Sequence, residues 1–182
     1  MKAVRPTAGR VLLALFSILG NVDGGRFLDL FAGTGRVGRA ALERGASVTW
    51  VESLRERAQA IERALPADAR RRAVVLSLEL RRAIAWLGKR GLQFDVIFAD
   101  PPYHEGWGAA LLDVGGLSEL LAPDGVMVVE HASREPLTVP LEWQVGSDRE
   151  YGETILTFLS PLHAIREAEA REGVLQEGEA GE

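Results

Sequence analysis

The sequence contains no cysteine and only three histidines. Without cysteine, disulfide scaffolds, cysteine-ligated zinc, iron–sulfur clusters and cysteine nucleophiles are excluded. The histidines (His104, His131 and His163) are widely spaced without helical pairing, so we expect no metal site. No apolar run reaches the length of about 18 residues that a membrane helix requires, and the first ten residues contain no signal-peptide core. We therefore expect a cytoplasmic protein that does not contact a membrane.

Composition and charge describe a globular chain with an uneven charge distribution. Hydrophobic residues make up 47% of the 182 residues and charged residues 26%, which is typical of one domain with a sizeable core. The net charge is −5, yet residues 1–90 carry 17 Lys or Arg against 8 Asp or Glu, and residues 91–182 carry 4 against 18. This polarisation favours contact between the N-terminal half and a polyanion such as nucleic acid.

Short apolar, β-branched runs alternate with helical patterns along the chain. The runs predict strands at Arg26–Phe31, Ser47–Val51, Ala73–Leu78, Phe94–Ala99, Gly125–Glu130, Trp143–Ser147 and Thr154–Ser160. Helices are predicted at Ala8–Leu19, Val37–Arg44, Leu54–Leu65, Leu80–Arg90 and Trp107–Leu121. This alternation predicts an α/β fold with a mostly parallel sheet covered by helices on both faces.

The last two predicted strands lie close together, which predicts an antiparallel hairpin at the edge of the sheet, joined by the polar loop DREYGE. We expect a single domain over residues 1–160, with residues 1–20 forming an N-terminal helical segment. Residues 161–182 are rich in Glu and poor in large apolar residues, so we expect a frayed, disordered acidic tail there.

The first chemical motif follows the first predicted strand. Gly33, Gly35 and Gly38 form a G-x-G-x-x-G pattern that lets the backbone turn tightly against a ligand, and Glu52 follows the second strand, where a carboxylate can accept ribose hydroxyls. A dinucleotide and S-adenosylmethionine both use this arrangement. Asp29 lies four residues before the first glycine, where an acid suits a cationic ligand end rather than a pyrophosphate. The pattern therefore favours S-adenosylmethionine.

The second motif is Asp100-Pro101-Pro102-Tyr103, after the fourth predicted strand. Two prolines fix the backbone and remove two N–H donors, so the loop is rigid and offers acceptors beside the flat ring of Tyr103. Such a loop can accept hydrogen bonds from a planar exocyclic amine. The bonds weaken delocalisation of the nitrogen lone pair into the ring and ready it to attack a methyl group. A general base is not required.

These motifs resemble those of class I amino-methyltransferases that act on nucleic-acid bases. Two further segments narrow the resemblance to the RsmD-type enzymes: Arg5-Pro-Thr-Ala-Gly-Arg-Val-Leu-Leu-Ala-Leu-Phe16 near the start, and Arg149-Glu-Tyr-Gly-Glu-Thr154 near the end. Four separated motifs over roughly residues 4–160 carry the likeness. The resemblance implies a mixed seven-stranded methyltransferase sheet, and methylation of the guanine N2 amine in small-subunit rRNA at a guanine 966 type site.

The resemblance also assigns site residues. Cofactor binding falls to Asp29, Phe31, Ala32, Gly33, Gly35, Glu52, Ser53 and Glu79, with Ser77 as the rival of Glu79 near the adenine amine. Catalysis falls to Asp100, Pro101, Pro102 and Tyr103. RNA contacts fall to Arg5, Thr7, Arg10, Arg149 and Tyr151, and His104 and Trp107 are expected to border the site. The implied partner is small-subunit rRNA or its ribonucleoprotein assembly intermediate, bound by a monomer.

Four alternatives stay open at this stage. An adenine-N6 or a protein-glutamine methyltransferase can use a similar Pro-Pro-Tyr loop. A NAD-binding oxidoreductase is compatible with the glycine pattern alone. An RNA-binding domain that holds the cofactor without turnover is the non-enzymatic alternative.

Overall fold

A computed structural model describes residues 9–103 and 105–162. The helices are α1 (Gly9–Leu19), α2 (Arg36–Glu43), α3 (Arg55–Ala64), α4 (Leu80–Gly88) and the single turn α5 (Trp107–Ala110). The strands are β1 (Arg26–Leu30), β2 (Ser47–Val51), β3 (Ala73–Leu76), β4 (Phe94–Ala99), β5 (Leu121–Ala132), β6 (Trp143–Tyr151) and β7 (Thr154–Pro161). Short 3-10 turns at Arg70–Arg72 and Ser118–Leu120 precede β3 and β5.

The strands form one mixed sheet in the order β3-β2-β1-β4-β5-β7-β6. Strands β1 to β5 pair in parallel, and β7 runs antiparallel between β5 and β6. This arrangement confirms the predicted seven-stranded α/β fold. Because the strand order reverses between β1 and β4, a crevice opens at the carboxyl ends of these two strands, where ligands bind in open α/β sheets.

Alternate side chains along the central strands enter two apolar clusters, one on each face of the sheet. The cluster beside α4 contains Leu28, Leu30, Ile84, Leu87, Ile97 and Val129. The cluster beside α1, α2 and α3 contains Leu15, Phe16, Phe27, Ala41, Trp50, Ile61, Phe98 and Val128. Packing of the two apolar clusters holds the strand ends in one row. The residues that follow the strands are therefore held in fixed positions as well.

Helix α1 confirms the predicted N-terminal helix from Gly9 onward and packs on the α2 face of the sheet. Val11, Leu15 and Phe16 are its buried residues. The guanidinium carbon of Arg44 lies 4.3 Å from the centre of the Phe16 ring, while the same group donates a hydrogen bond to the carbonyl oxygen of Ala40. Arg44, which follows α2, therefore ties the first two helices together.

The helix predicted at Trp107–Leu121 is wrong. The segment forms one helical turn, a series of bends and a 3-10 turn before β5 begins at Leu121. Its leucines have helical spacing and are buried, which is why the pattern indicated a helix. Gly116 adopts a φ of 85°, a left-handed conformation that ends any helix in this segment.

The loop predicted between the last two strands is also wrong. Strand β6 continues to Tyr151 and β7 begins at Thr154, so only Gly152 and Glu153 connect them. Residues 148–150 are exposed because β6 is the edge strand, and their polarity hid the strand. Smaller differences concern strand ends: β3 stops at Leu76 rather than Leu78, and β5 extends beyond Gly125–Glu130 on both sides.

Within the described residues, no helix is both long enough and apolar enough to cross a bilayer. The predicted acidic tail, from His163 on, falls outside these residues, as do Arg5, Thr7 and His104.

Candidate active site

The loop between β1 and α2 is the first part of the site. Phe31 adopts a φ of 58°, a left-handed conformation that an L-residue takes only when its surroundings enforce it. The Ala32 N–H donates to the carbonyl of Val51 at 2.9 Å, which draws the loop over the end of β2. The Phe31 ring meets Trp107 edge to face, with 5.0 Å between centroids. This aromatic pair joins the glycine loop to α5 and puts Trp107 beside that loop.

Two of the three motif glycines are required by close packing. Gly35 has a φ of 72°, and a Cβ there would lie 2.8 Å from Cγ1 of Ile61. A Cβ on Gly38 would overlap the indole of Trp50. The Trp50 indole N–H in turn donates to the carbonyl of Gly35 at 3.2 Å. Gly38 therefore allows α2 to approach β2, a packing role that the sequence pattern alone did not separate from ligand contact.

Asp29 lies in β1 with 2% of its surface exposed. One carboxylate oxygen accepts a hydrogen bond from the Gly38 N–H at 2.8 Å. The pKa of Asp29 is raised to about 8, chiefly by burial; the Gly38 N–H acts in the opposite direction, and the nearby Glu52 adds to the rise. Asp29 therefore holds a proton at neutral pH until a cation comes close.

Glu52 directly follows β2 and is also buried. Its two oxygens accept hydrogen bonds from the Gly33 and Leu54 N–H groups, each at 2.8 Å. Each oxygen retains a second lone pair that can accept a ligand hydroxyl. Glu52 thus fastens the glycine loop to the start of α3. Ser53, beside it, is exposed.

The Asp100–Tyr103 loop starts where β4 ends at Ala99. Asp100 and Tyr103 are half-buried, Pro101 is buried and Pro102 is exposed. Burial, and after it the neighbouring carboxyl groups of Glu130 and Asp29, together raise the pKa of Asp100 to about 8. The loop therefore places a carboxyl group of high proton affinity across the crevice from the glycine loop.

The structure brings four acidic side chains together at the ends of neighbouring strands β2, β1, β4 and β5: Glu52, Asp29, Asp100 and Glu130. Glu52 raises the pKa of Asp29, and Glu130 and Asp29 raise the pKa of Asp100, which shows that the four side chains lie in one group. Glu130 is 4% exposed and was missed, because it lies within an apolar strand that the sequence pattern interpreted as core. The rule that ligands bind at strand ends would have found it. A site with four carboxyl groups suits a cationic ligand and opposes a pyrophosphate.

The remaining predicted residues lie further from this group or on the surface. Ser77 and Glu79 are exposed just before α4. Arg10 is exposed on α1, and Arg149 is exposed on β6, where its guanidinium donates to the carbonyl of Asp148. Tyr151 is half-buried against the apolar cluster that also contains α1 residues. Arg149 and Tyr151 therefore belong to a strand rather than to the loop that was predicted, while Tyr151 shares a sheet face with α1.

Comparison with known proteins identifies a family and several relatives of this chain. A family model described as Conserved hypothetical protein 95 matches residues 1–160. The chain is 36% identical over 132 residues to "Putative rRNA methyltransferase YlbH" of Bacillus subtilis, covering 71% of this chain and 72% of that protein. It is 29% identical over 153 residues to "Ribosomal RNA small subunit methyltransferase D" of Escherichia coli strain K12, covering 82% of this chain and 76% of that protein.

The fold is found in related solved structures as well. A hypothetical protein from Thermus thermophilus superposes with a TM-score of 0.72 at 30% identity, covering 88% of this chain and 90% of that chain. The family match, the sequence relatives and the solved structure agree with one another. The chain belongs to the family described as Conserved hypothetical protein 95, the RsmD family.

Proposed function

We propose that this protein transfers a methyl group from S-adenosylmethionine to the exocyclic N2 amine of a guanine in small-subunit rRNA, at a guanine 966 type site. Its relatives named as rRNA methyltransferases support the coarser statement, that it is an S-adenosylmethionine-dependent rRNA methyltransferase. The finer assignment depends on the position of Asp100. This residue follows β4 where the strand order reverses, and it lies beside the glycine loop among the other acidic side chains.

The acidic group supports the choice of cofactor. S-adenosylmethionine supplies an electrophilic methyl group on a sulfonium and carries an ammonium, so both of its charged centres gain from nearby carboxylates. Asp29 already accepts the Gly38 N–H of the first turn of α2. A pyrophosphate at this helix end would meet that carboxyl group, which argues against a nicotinamide dinucleotide. Glu52 is the residue placed to accept the ribose hydroxyls.

In this proposal Asp100 and the carbonyl of Pro101 accept the two amine hydrogens of the base. In the reaction the nitrogen lone pair forms the new N–C bond, the S–C bond breaks with its electron pair remaining on sulfur, and the nitrogen then loses a proton to water. An ionised Asp100 carboxylate accepts more strongly than a neutral carboxyl group, and the raised pKa of Asp100 works against this ionisation. A cation beside Asp100 lowers that pKa, so cofactor binding prepares the carboxylate for the amine.

The deciding experiment is methyl transfer from labelled S-adenosylmethionine to unmodified small-subunit RNA and to small-subunit particles, followed by nucleoside analysis. We expect label in N2-methylguanosine. Label in N6-methyladenosine or in protein would support the two alternative methyltransferases, and binding of NAD without binding of S-adenosylmethionine would support the oxidoreductase. Cofactor binding without transfer to any substrate would support the non-enzymatic RNA-binding domain.

An Asp100→Ala variant tests the amine grip. We expect kcat to fall at least about 100-fold, because the lost contact tightens as the amine becomes tetrahedral, while cofactor affinity changes little. Asp113→Ala removes an exposed carboxylate from the segment after α5 and serves as the matched control. Near-normal turnover by Asp100→Ala would show that another group holds the amine.

For the RNA partner, we propose that the chain acts as a monomer in the cytoplasm on rRNA or its assembly intermediate, with residues 1–160 as the catalytic domain. Arg10 and Arg149 are exposed, and α1 lies on the same sheet face as Tyr151. Each phosphate contact removed by Arg10→Ala or Arg149→Ala should reduce the log–log salt slope of RNA binding by about 0.7–0.9. Unchanged slopes would place the RNA elsewhere on the surface.

A further inference from the structure

A buried histidine at the end of β5 lies outside the proposed chemistry. His131 is 7% exposed, and its Nε2 lies 2.9 Å from the hydroxyl oxygen of Thr157 on β7. That hydroxyl donates to a carboxylate oxygen of Asp148 on β6 at 2.6 Å. On the other side of the ring, Nδ1 lies 3.2 Å from the carbonyl oxygens of Ala132 and Glu135. One imidazole thus connects three strands with the turn that follows β5.

Counting protons in this chain determines the state of the ring. Thr157 has a single hydroxyl proton and gives it to Asp148, so its oxygen must accept a hydrogen from Nε2. Nδ1 faces two carbonyl oxygens, which only accept, so it must carry a hydrogen too. A neutral imidazole has one N–H, and each of its tautomers would leave one nitrogen lone pair facing an acceptor. Only the imidazolium satisfies every contact.

Charged groups near the ring are compatible with a cation. Asp148 on β6 supplies a negative charge through the Thr157 hydroxyl. Glu130 on β5 and Glu135 on the turn line the same small cleft as His131. Asp148 is thus linked to the ring through Thr157, while Glu130 and Glu135 share its cleft.

The turn held by His131 packs behind the proposed amine grip. Pro101, Tyr103 and Trp107 line the same cleft as Glu135 and Leu137 of the turn. These residues line one small cleft together with His131, so the turn and the Pro101–Tyr103 loop lie next to each other. The Thr138 N–H also donates to the carbonyl of Gly108 at 2.6 Å, which fastens the far end of the turn to α5.

We propose that His131, held as an imidazolium, is a positioning residue that fixes the 132–138 turn against the Pro101–Tyr103 loop and thereby sets the geometry of the amine grip. In this proposal the ring acts through the turn and not by contact with base or cofactor. The link to turnover rests on the proposed methyl transfer, whereas the protonation state and the hydrogen-bond chain do not.

The protonation state has a direct test in NMR of histidine-15N-labelled protein at neutral pH, with His131 assigned by loss of its signals in His131→Gln. We expect both ring nitrogens of His131 to show a bonded hydrogen. Asp148→Asn keeps an oxygen that accepts from Thr157 but removes the charge, so the second hydrogen should be lost at a lower pH. Glu150→Gln, an exposed change on the same strand, is the control. A single ring hydrogen in the folded wild type at neutral pH would overturn the proposal.

The positioning role is tested by kinetics of Thr157→Val, which keeps the side-chain shape and removes the hydroxyl. We expect kcat or KM toward RNA to worsen at least about tenfold, with cofactor affinity within about twofold of wild type. Asp148→Asn provides the second variant if Thr157→Val folds poorly. As the pH is raised, activity of Asp148→Asn should fall at a lower pH than activity of Glu150→Gln. If wild type transfers methyl groups and both variants match it, the positioning role is wrong although the proposed function stands. If wild type modifies no RNA, the proposed function fails, and the NMR result alone decides the state of His131.

Discussion

Asp29 carries a pH dependence of folding that can be worked out from its burial. Its pKa is raised to about 8 in the folded protein, against 3.8 as the ordinary value. Between these values the unfolded chain has lost the proton while the folded chain retains it. The contribution to stability is therefore fully present below pH 3.8 and falls as the pH rises, until it is lost above about 8.

Replacing Asp29 with Asn isolates this contribution. The amide oxygen can still accept the Gly38 N–H, while the buried amide donors cost about 1–3 kcal/mol at every pH. Each pH unit corresponds to about 1.4 kcal/mol, so wild type should lose about 4 kcal/mol more than Asp29→Asn between about pH 4.5 and about pH 7.5. The assay is urea unfolding followed by tryptophan fluorescence over that range.

A matched control is Asp124→Asn, which changes an exposed carboxylate near the opposite end of the sheet. Its pH profile should run parallel to that of wild type. If the profile of Asp29→Asn also runs parallel to wild type, Asp29 does not hold a proton in the folded state, and the argument from burial is refuted.

Three further variants test packing and the cofactor site. Gly38→Ala should destabilise the protein by about 1–3 kcal/mol, because its Cβ overlaps Trp50, whereas Gly88→Ala has open space around it and should not; urea unfolding compares them. Arg72→Ala loses hydrogen bonds to the carbonyls of Leu42 and Ala46 and should lower the free energy of unfolding by about 1–3 kcal/mol in thermal melts, unlike exposed Arg71→Ala. Glu52→Ala should weaken S-adenosylmethionine binding by about 1–3 kcal/mol in calorimetry, and unchanged affinity would remove Glu52 from the site.

The sequence predicted the central elements of the fold because their signals are local. Strands β2 and β4 have the predicted bounds, since each is a short buried apolar run next to polar residues. The prediction from the apolar pattern failed where that pattern does not determine the structure. The leucines after α5 have helical spacing, but Gly116 in a left-handed conformation interrupts the segment, and the polar edge strand β6 has little apolar pattern to detect.

For the site, the sequence indicated which residues follow the strands but not what each contacts. The bonds from Gly33 and Leu54 to Glu52 depend on loop conformation, which no residue pattern specifies. The left-handed Phe31 is equally invisible, because a phenylalanine rarely adopts that conformation. His131 was noted only as one of three scattered histidines, since its partners Thr157 and Asp148 lie on other strands and meet it only in the folded sheet.

The position of β7 has a consequence for synthesis of the chain on the ribosome. β7 is the last strand in the sequence, yet it pairs with β5 inside the sheet and does not form the outer edge. Until residues 154–161 leave the exit tunnel, the backbone donors and acceptors along Met127–Ala132 have no antiparallel partner on that side, although β1 to β5 can already assemble. A nascent or truncated chain that stops before Thr154 would thus present an apolar, unpaired strand edge, and chaperone capture or aggregation should concentrate at this stage of translation.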